Sequence, residues 1–173
     1  RLAIVAEGCL TTLVDYTAAE GNDLIGRQYC AMALGNLAAE PMNHEEIVKS
    51  EGINALMCLL KTEDIESGRY AAFALSNLAA NANHRQQIVD EGGAAALVAL
   101  ACCEDLNAQR QAMSALRGLC ITPHYRPLVV QEGVLDPIVL MARTDEIEVL
   151  REVSAALNCL SSVEENKMEI CDR

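Results

Sequence analysis

Residues 33–40 read Ala33-Leu34-Gly35-Asn36-Leu37-Ala38-Ala39-Glu40, and residues 73–81 read Phe73-Ala74-Leu75-Ser76-Asn77-Leu78-Ala79-Ala80-Asn81. Their shared Ala-Leu-x-x-Leu returns twice more, as Ala115-Leu116-Arg117-Gly118-Leu119 and Ala156-Leu157-Asn158-Cys159-Leu160, at a spacing of 41 each time. A fixed period of that size marks a stack of like units and overrides the single compact domain that 173 residues would otherwise suggest. A second landmark keeps nearly the same phase. Glu-Gly pairs stand at Glu7-Gly8, Glu51-Gly52, Glu91-Gly92 and Glu132-Gly133, after the β-branched pairs Ile4-Val5, Ile47-Val48, Ile88-Val89 and Val129-Val130.

Each copy reads as three helices. The first is short, for example Glu45 to Glu51, and stops at the Glu-Gly, where glycine suits a left-handed residue in a sharp turn. The second covers Ile53 to Leu60 or Ala94 to Ala101, with Pro137 in the first turn of its counterpart, where a missing N–H does no harm. The third follows an acidic turn (Asp64, Asp105, Asp145-Glu146) whose carboxylates suit its N-terminus, and runs to a break such as Asn81-Ala82-Asn83. Approximate units are 1–42, 43–82, 83–123 and 124–165, with a further repeat starting at 166–173. Opening inside a first helix (Arg1 to Glu7) and closing inside another (Asn166 to Arg173), the chain reads as a piece of a longer array.

Composition agrees with tightly stacked helices. Hydrophobic residues make up 51% of the chain, yet there is one Phe, no Trp and only four Tyr, so Ala and Leu supply the apolar surface. Both lose little rotamer freedom in a helix, and alanine faces let helices approach closely. The net charge of −12 argues against non-specific nucleic-acid binding and against attraction to anionic membranes. It favours a basic or neutral partner. No apolar run is long enough to span a bilayer. The eight cysteines show no CxxC and sit mostly in apolar helical segments, which reads as small hydrophobes in a reducing, cytoplasmic-type compartment, nuclear or ciliary settings included.

Short, long, long, with glycine after the short helix and a period near forty residues, resembles the armadillo repeat over essentially the whole chain. "ALGNLAAE" and "FALSNLAAN" are similar to that family's third helix, and the wording is nearest to vacuolar, junctional and ciliary armadillo scaffolds. HEAT repeats are the alternative, but they use two helices and lack the glycine signature. The resemblance implies an all-α, armadillo-type right-handed α-solenoid of about four three-helix repeats. It also implies a concave groove of third helices in which asparagines grip an extended peptide's backbone and aromatic residues wall its side-chain pockets. A carboxamide suits that task because it donates and accepts at once.

Carried over by position, Asn36 and Asn77 are the gripping residues. Met32 and Phe73 lie one turn earlier, Tyr29 and Tyr70 one turn before that, each set on one helix face. Arg117 and Asn158 complete the expected groove. Gly118 and Cys159 replace the asparagine in the later copies, with Ser114 and Ala155 where the aromatic residue should be. No copy has the tryptophan of nuclear-import receptors, and the acidity disfavours a basic, catenin-like groove. The same aromatic stripe is also what packing between neighbouring repeats would require.

Two further series recur. Arg27, Arg69, Arg110 and Arg151 read either as a row of cations facing a ligand or, preferably, as partners of the preceding acidic turn, such as Asp64 with Arg69 and Asp105 with Arg110. His44, His84 and His124 recur every forty residues; equivalent sites on successive repeats lie roughly 10 Å apart, too far to share a zinc. No nucleophile elbow, phosphate-cradling loop or clustered His/Cys/Asp set is present, so no enzyme, cofactor or metal site is expected. The expected role is a scaffold holding a protein or peptide in the third-helix groove. The alternative is a structural spacer or docking element of a large assembly, such as an axoneme or junction, working through its convex surface; the oligomeric state stays open.

Overall fold

The computed structural model describes residues 8–18 and 23–172. The first helix expected over Arg1 to Glu7 lies outside the described residues. Twelve α-helices follow in order, none paired with a strand among the described residues: α1 (Cys9–Ala18), α2 (Leu24–Ala38), α3 (His44–Lys49), α4 (Gly52–Leu60), α5 (Ile65–Leu78), α6 (Ala82–Asp90), α7 (Gly93–Ala101), α8 (Leu106–Leu119), α9 (Arg126–Gln131), α10 (Leu135–Met141), α11 (Ile147–Leu160) and α12 (Glu164–Cys171). Short 3-10 turns at Pro41–Asn43 and Pro123–Tyr125 precede α3 and α9. The fold is an all-α right-handed solenoid in which α2, α5, α8 and α11 are the third helices.

The third helices form the spine. α2 packs on α5, α5 on α8 and α8 on α11, and each also packs on the second helix of its own unit. The 41-residue period places equivalent side chains in the same buried slot. Leu34, Leu75 and Leu116 are fully buried, as are Leu78, Leu119 and Leu160, with Ile47, Ile88 and Val129 behind them. Burying such side chains is worth roughly 1.5–3 kcal/mol each. Alanines at Ala31, Ala71, Ala72, Ala74, Ala112 and Ala115 fill the spaces that bulkier residues would force open.

Helix starts follow the acidic turns, with one exception. Asp23, Asp64 and Asp105 accept the N–H groups of Gly26, Ser67 and Ala108 at 2.7, 3.0 and 2.7 Å. At α11 the expected carboxylate cap is missing: Glu146 makes no side-chain cap, and its own N–H goes to Thr144 Oγ1 at 3.2 Å. The extra methylene of Glu suits a cap less well than Asp. Asn81 caps α6 through the Asn83 N–H, so the expected break at 81–83 is the start of the next helix.

The glycine register needs a correction. Gly8, Gly92 and Gly133 take φ of 78°, 80° and 91°, as the turn demands. In the second copy, however, the left-handed residue is Glu51, at φ 59°, and Gly52 opens α4. Gly52 answers a different need: a Cβ there would lie 2.5 Å from the Ile47 carbonyl oxygen, and Gly93 meets Ile88 in the same way at 2.6 Å.

Candidate functional site

The expected gripping residues sit on successive, directly packed helices. Asn36 is exposed on α2. Asn77, on α5, is half-buried and donates one Nδ2 hydrogen to the Phe73 carbonyl at 3.1 Å, which leaves Oδ1 and the second N–H. Tyr29 is 63% exposed, so its ring stands open. Tyr70 instead rests partly on the core beneath the Arg69 guanidinium, 4.2 Å from ring centroid to Cζ. Met32 is half-buried.

Phe73 has a packing role. Its Cδ1 lies 3.2 Å from where a Cβ on Gly35 would be, so the ring covers α2 at a residue with no side chain to obstruct it. The first two copies are thus unequal: Tyr29 and Asn36 project from α2, whereas Tyr70, Phe73 and Asn77 lie partly against neighbours. In the third copy Gly118 is buried, with Ala79 Cβ only 3.0 Å from a built Cβ. Asparagine is absent there because α5 and α8 cross too closely to accept it. Arg117, expected in the groove, bridges instead to Glu152 of α11 at 2.9 Å. Asn158 is exposed.

The pairing expected for the arginine series is not what forms. Asp64 is occupied by the Ser67 N–H and by the Gln28 side chain at 3.0 Å, so Arg69 turns to Glu66 one turn away. Arg151 likewise pairs with Glu148 within α11. Burial would raise the Asp64 pKa, but the bonds from Ser67 and Gln28 outweigh it and hold the carboxyl below its usual value. Hydrogen bonds to Glu66 push Arg69 upward despite burial. Arg110 lines a cleft of about 400 Å³ with Leu106, Asn107, Glu146, Glu148 and Val149.

The histidines are not equivalent positions, since their spacing is one short of the 41-residue period. His44 Nε2 meets the Ala38 carbonyl at the end of α2, at 2.8 Å. One period on, that slot holds Arg85, donating to Ala79 at 2.7 Å, and then Arg126, donating to Cys120 at 2.8 Å. His84 occupies the slot of Asn43, whose side chain donates to Leu37 rather than capping α3. The His44 and His84 rings are therefore 6.3 Å apart, closer than repeat geometry implies. No group of three or more His, Cys, Asp or Glu is placed to hold a metal among the described residues.

Sequence reasoning missed a row of apolar residues opening the third helices. Leu24, Ile65, Leu106 and Ile147, spaced by 41, are 49%, 42%, 41% and 64% exposed. The signal was available: each follows directly on the acidic turn. The cysteines also differ from expectation. Cys58, Cys102 and Cys171 are exposed, and only Cys120 is fully buried.

The sequence matches no family model and no curated protein. Solved structures match strongly. A computationally designed armadillo repeat protein for modular peptide recognition superposes with a TM-score of 0.89 at 20% identity, covering 99% of this chain and 73% of that one. The designed armadillo repeat protein YIII(Dq.V1)4CPAF, in complex with the peptide (KR)4, gives 0.87 at 19% identity over 99% and 72%. An engineered protein gives 0.88 at 30% identity, over 98% of this chain and 42% of its own length. No described helix is long and apolar enough to cross a membrane. This chain therefore has an armadillo-type repeat fold.

Proposed function

We propose that the chain is a non-catalytic scaffold that binds an extended, basic peptide segment along its third helices. The supporting observation is the placement of Asn36 and Asn77, 41 residues apart, on helices that pack directly against each other, with free carboxamide hydrogen-bonding capacity on both. An extended peptide leaves N–H and C=O groups unpaired along its length, and carboxamides repeated from unit to unit meet that need. Tyr29 and Met32 supply an apolar wall on α2. The net charge of −12 and the (KR)4 peptide of the designed neighbour both favour a basic ligand.

Peptides selected from a random displayed library test this reading. Asn36→Ala/Asn77→Ala weakens their binding on the order of 10- to 100-fold, from the loss of two to four hydrogen bonds, and leaves the thermal melt unchanged. Equal binding by wild type and double variant rejects the groove. A spacer role through the other helices is supported by Gly118, which serves helix packing where a gripping residue would stand. In that case charge reversals on α3, α6 and α9 abolish partner binding and the asparagine variants do not.

A further inference from the structure

Where α8 crosses the end of α5, a Cβ on Gly118 would lie 3.0 Å from the Cβ of Ala79. The 41-residue period carries position 118 to 159 and position 79 to 120, and both of those are cysteines. The contact between the second and third units is thus repeated between the third and fourth as Cys159 of α11 on Cys120 at the end of α8. A disulfide needs Cβ atoms about 3.5–4.5 Å apart. The equivalent glycine–alanine approach, eased to admit two full side chains on helices that pack directly, would bring the two Cβ atoms to that separation.

A second observation agrees. The Cys120 thiol is pushed up to about 12, by burial first and then by the neighbouring Cys159, with Arg126 opposing. Cys120 is 1% exposed, whereas Cys159 is half-buried and packs against the edge of the core. One thiol is open to a reagent and the other waits behind it.

We propose that Cys120 and Cys159 form a reversible disulfide that locks the third unit to the fourth. With glutathione disulfide as oxidant, the Cys159 thiolate attacks one sulfur and releases one glutathione thiolate, leaving a mixed disulfide on Cys159. Cys120 then gives its proton to solvent and attacks the Cys159 sulfur, and the second glutathione leaves as thiolate. Two protein thiols are oxidised by two electrons, and one glutathione disulfide is reduced to two glutathione thiols. The second step is the slower, because buried Cys120 is rarely a thiolate. Cys159 stands where the first two units carry Asn36 and Asn77, so the bond fixes the spacing of α8 and α11 on that same face.

The test is to incubate the reduced chain with glutathione disulfide, alkylate the remaining thiols under denaturing conditions and map the peptides by mass. The expected course is early glutathione on Cys159, then a linked pair of peptides containing Cys120 and Cys159, lighter by two hydrogens and cleaved by dithiothreitol. The melting temperature of the linked form rises on the order of 10 °C. Cys159→Ser leaves Cys120 fully alkylated, and Cys58→Ser leaves the link intact. The proposal is overturned if Cys120 stays alkylatable while other cysteines oxidise, or if the mixed disulfide on Cys159 never resolves.

Discussion

At Glu51 the backbone takes φ 59° and ψ 25°, a conformation that costs a residue with a Cβ about 1 kcal/mol and costs glycine almost nothing. The carboxylate recovers little of that through its exposed bond from Asn54 Nδ2 at 2.7 Å. Glu51→Gly is expected to stabilise the chain by about 0.5–1 kcal/mol, read as a melting temperature about 2–4 °C higher. Gly52→Ala is expected to destabilise by about 2–4 kcal/mol, because its Cβ would strike backbone that has nowhere to move. The reverse order in a melting experiment would contradict this register. The Glu-Gly pair was legible as a turn; which of its two residues turns was not. In the third copy Gly92 and Gly93 separate the two duties, whereas in the second a single glycine serves the close approach and leaves the turn to Glu51.

Between elements, a row of side chains joins each first helix to the preceding third helix. Arg85 is the strongest member: Nη1 donates to the Ala79 and Ala80 carbonyls of the preceding unit at 2.7 and 3.1 Å, and Nε reaches Thr122 at the far end of its own unit at 2.8 Å. Arg126 repeats the pattern with Cys120 of the preceding unit and with Ser162 at the end of its own. Tyr125 adds a bond to Gln86 at 2.5 Å. Arg85→Met keeps the volume of the stem but leaves buried carbonyls unpaired, so a loss of about 2–4 kcal/mol is expected in urea unfolding, with less for the more exposed Arg126→Met. Equal, small losses at both would show that these bonds are incidental. Sequence reading missed this row because its members differ chemically: His44, Arg85 and Arg126 share a slot, while the three histidines that look periodic do not. The placement of Asn36 and Asn77 on neighbouring packed helices was legible by contrast, since they recur in one phase. The close crossing at Gly118 was not, because it depends on how α5 and α8 meet in space.

For the whole molecule, a solenoid's stability is close to a sum of unit and interface terms. The central units have the densest core, with Ala71, Ala72, Ala74, Leu75 and Leu78 of α5 all fully buried, whereas α12 buries only Asn166. Amide hydrogen exchange is accordingly expected to be slowest in α5 and α8 and to quicken through α11 to α12. Uniform protection along the array would mean that it unfolds as a single cooperative block. Period, helix count and fold type were legible because every unit repeats the same apolar slots. Function is less so, since the asparagine recurs in two units only and gives way to packing at Gly118 in the third. The central claim is that ligand lies along the third helices, and side-chain carboxamide NMR of the chain titrated with a library-selected basic peptide tests it most directly. The account predicts that the Asn36 and Asn77 NH2 resonances shift and saturate together, with perturbed amides confined to α2, α5 and their neighbours. Perturbations clustered on α3, α6 and α9, with both carboxamides unmoved, would contradict it.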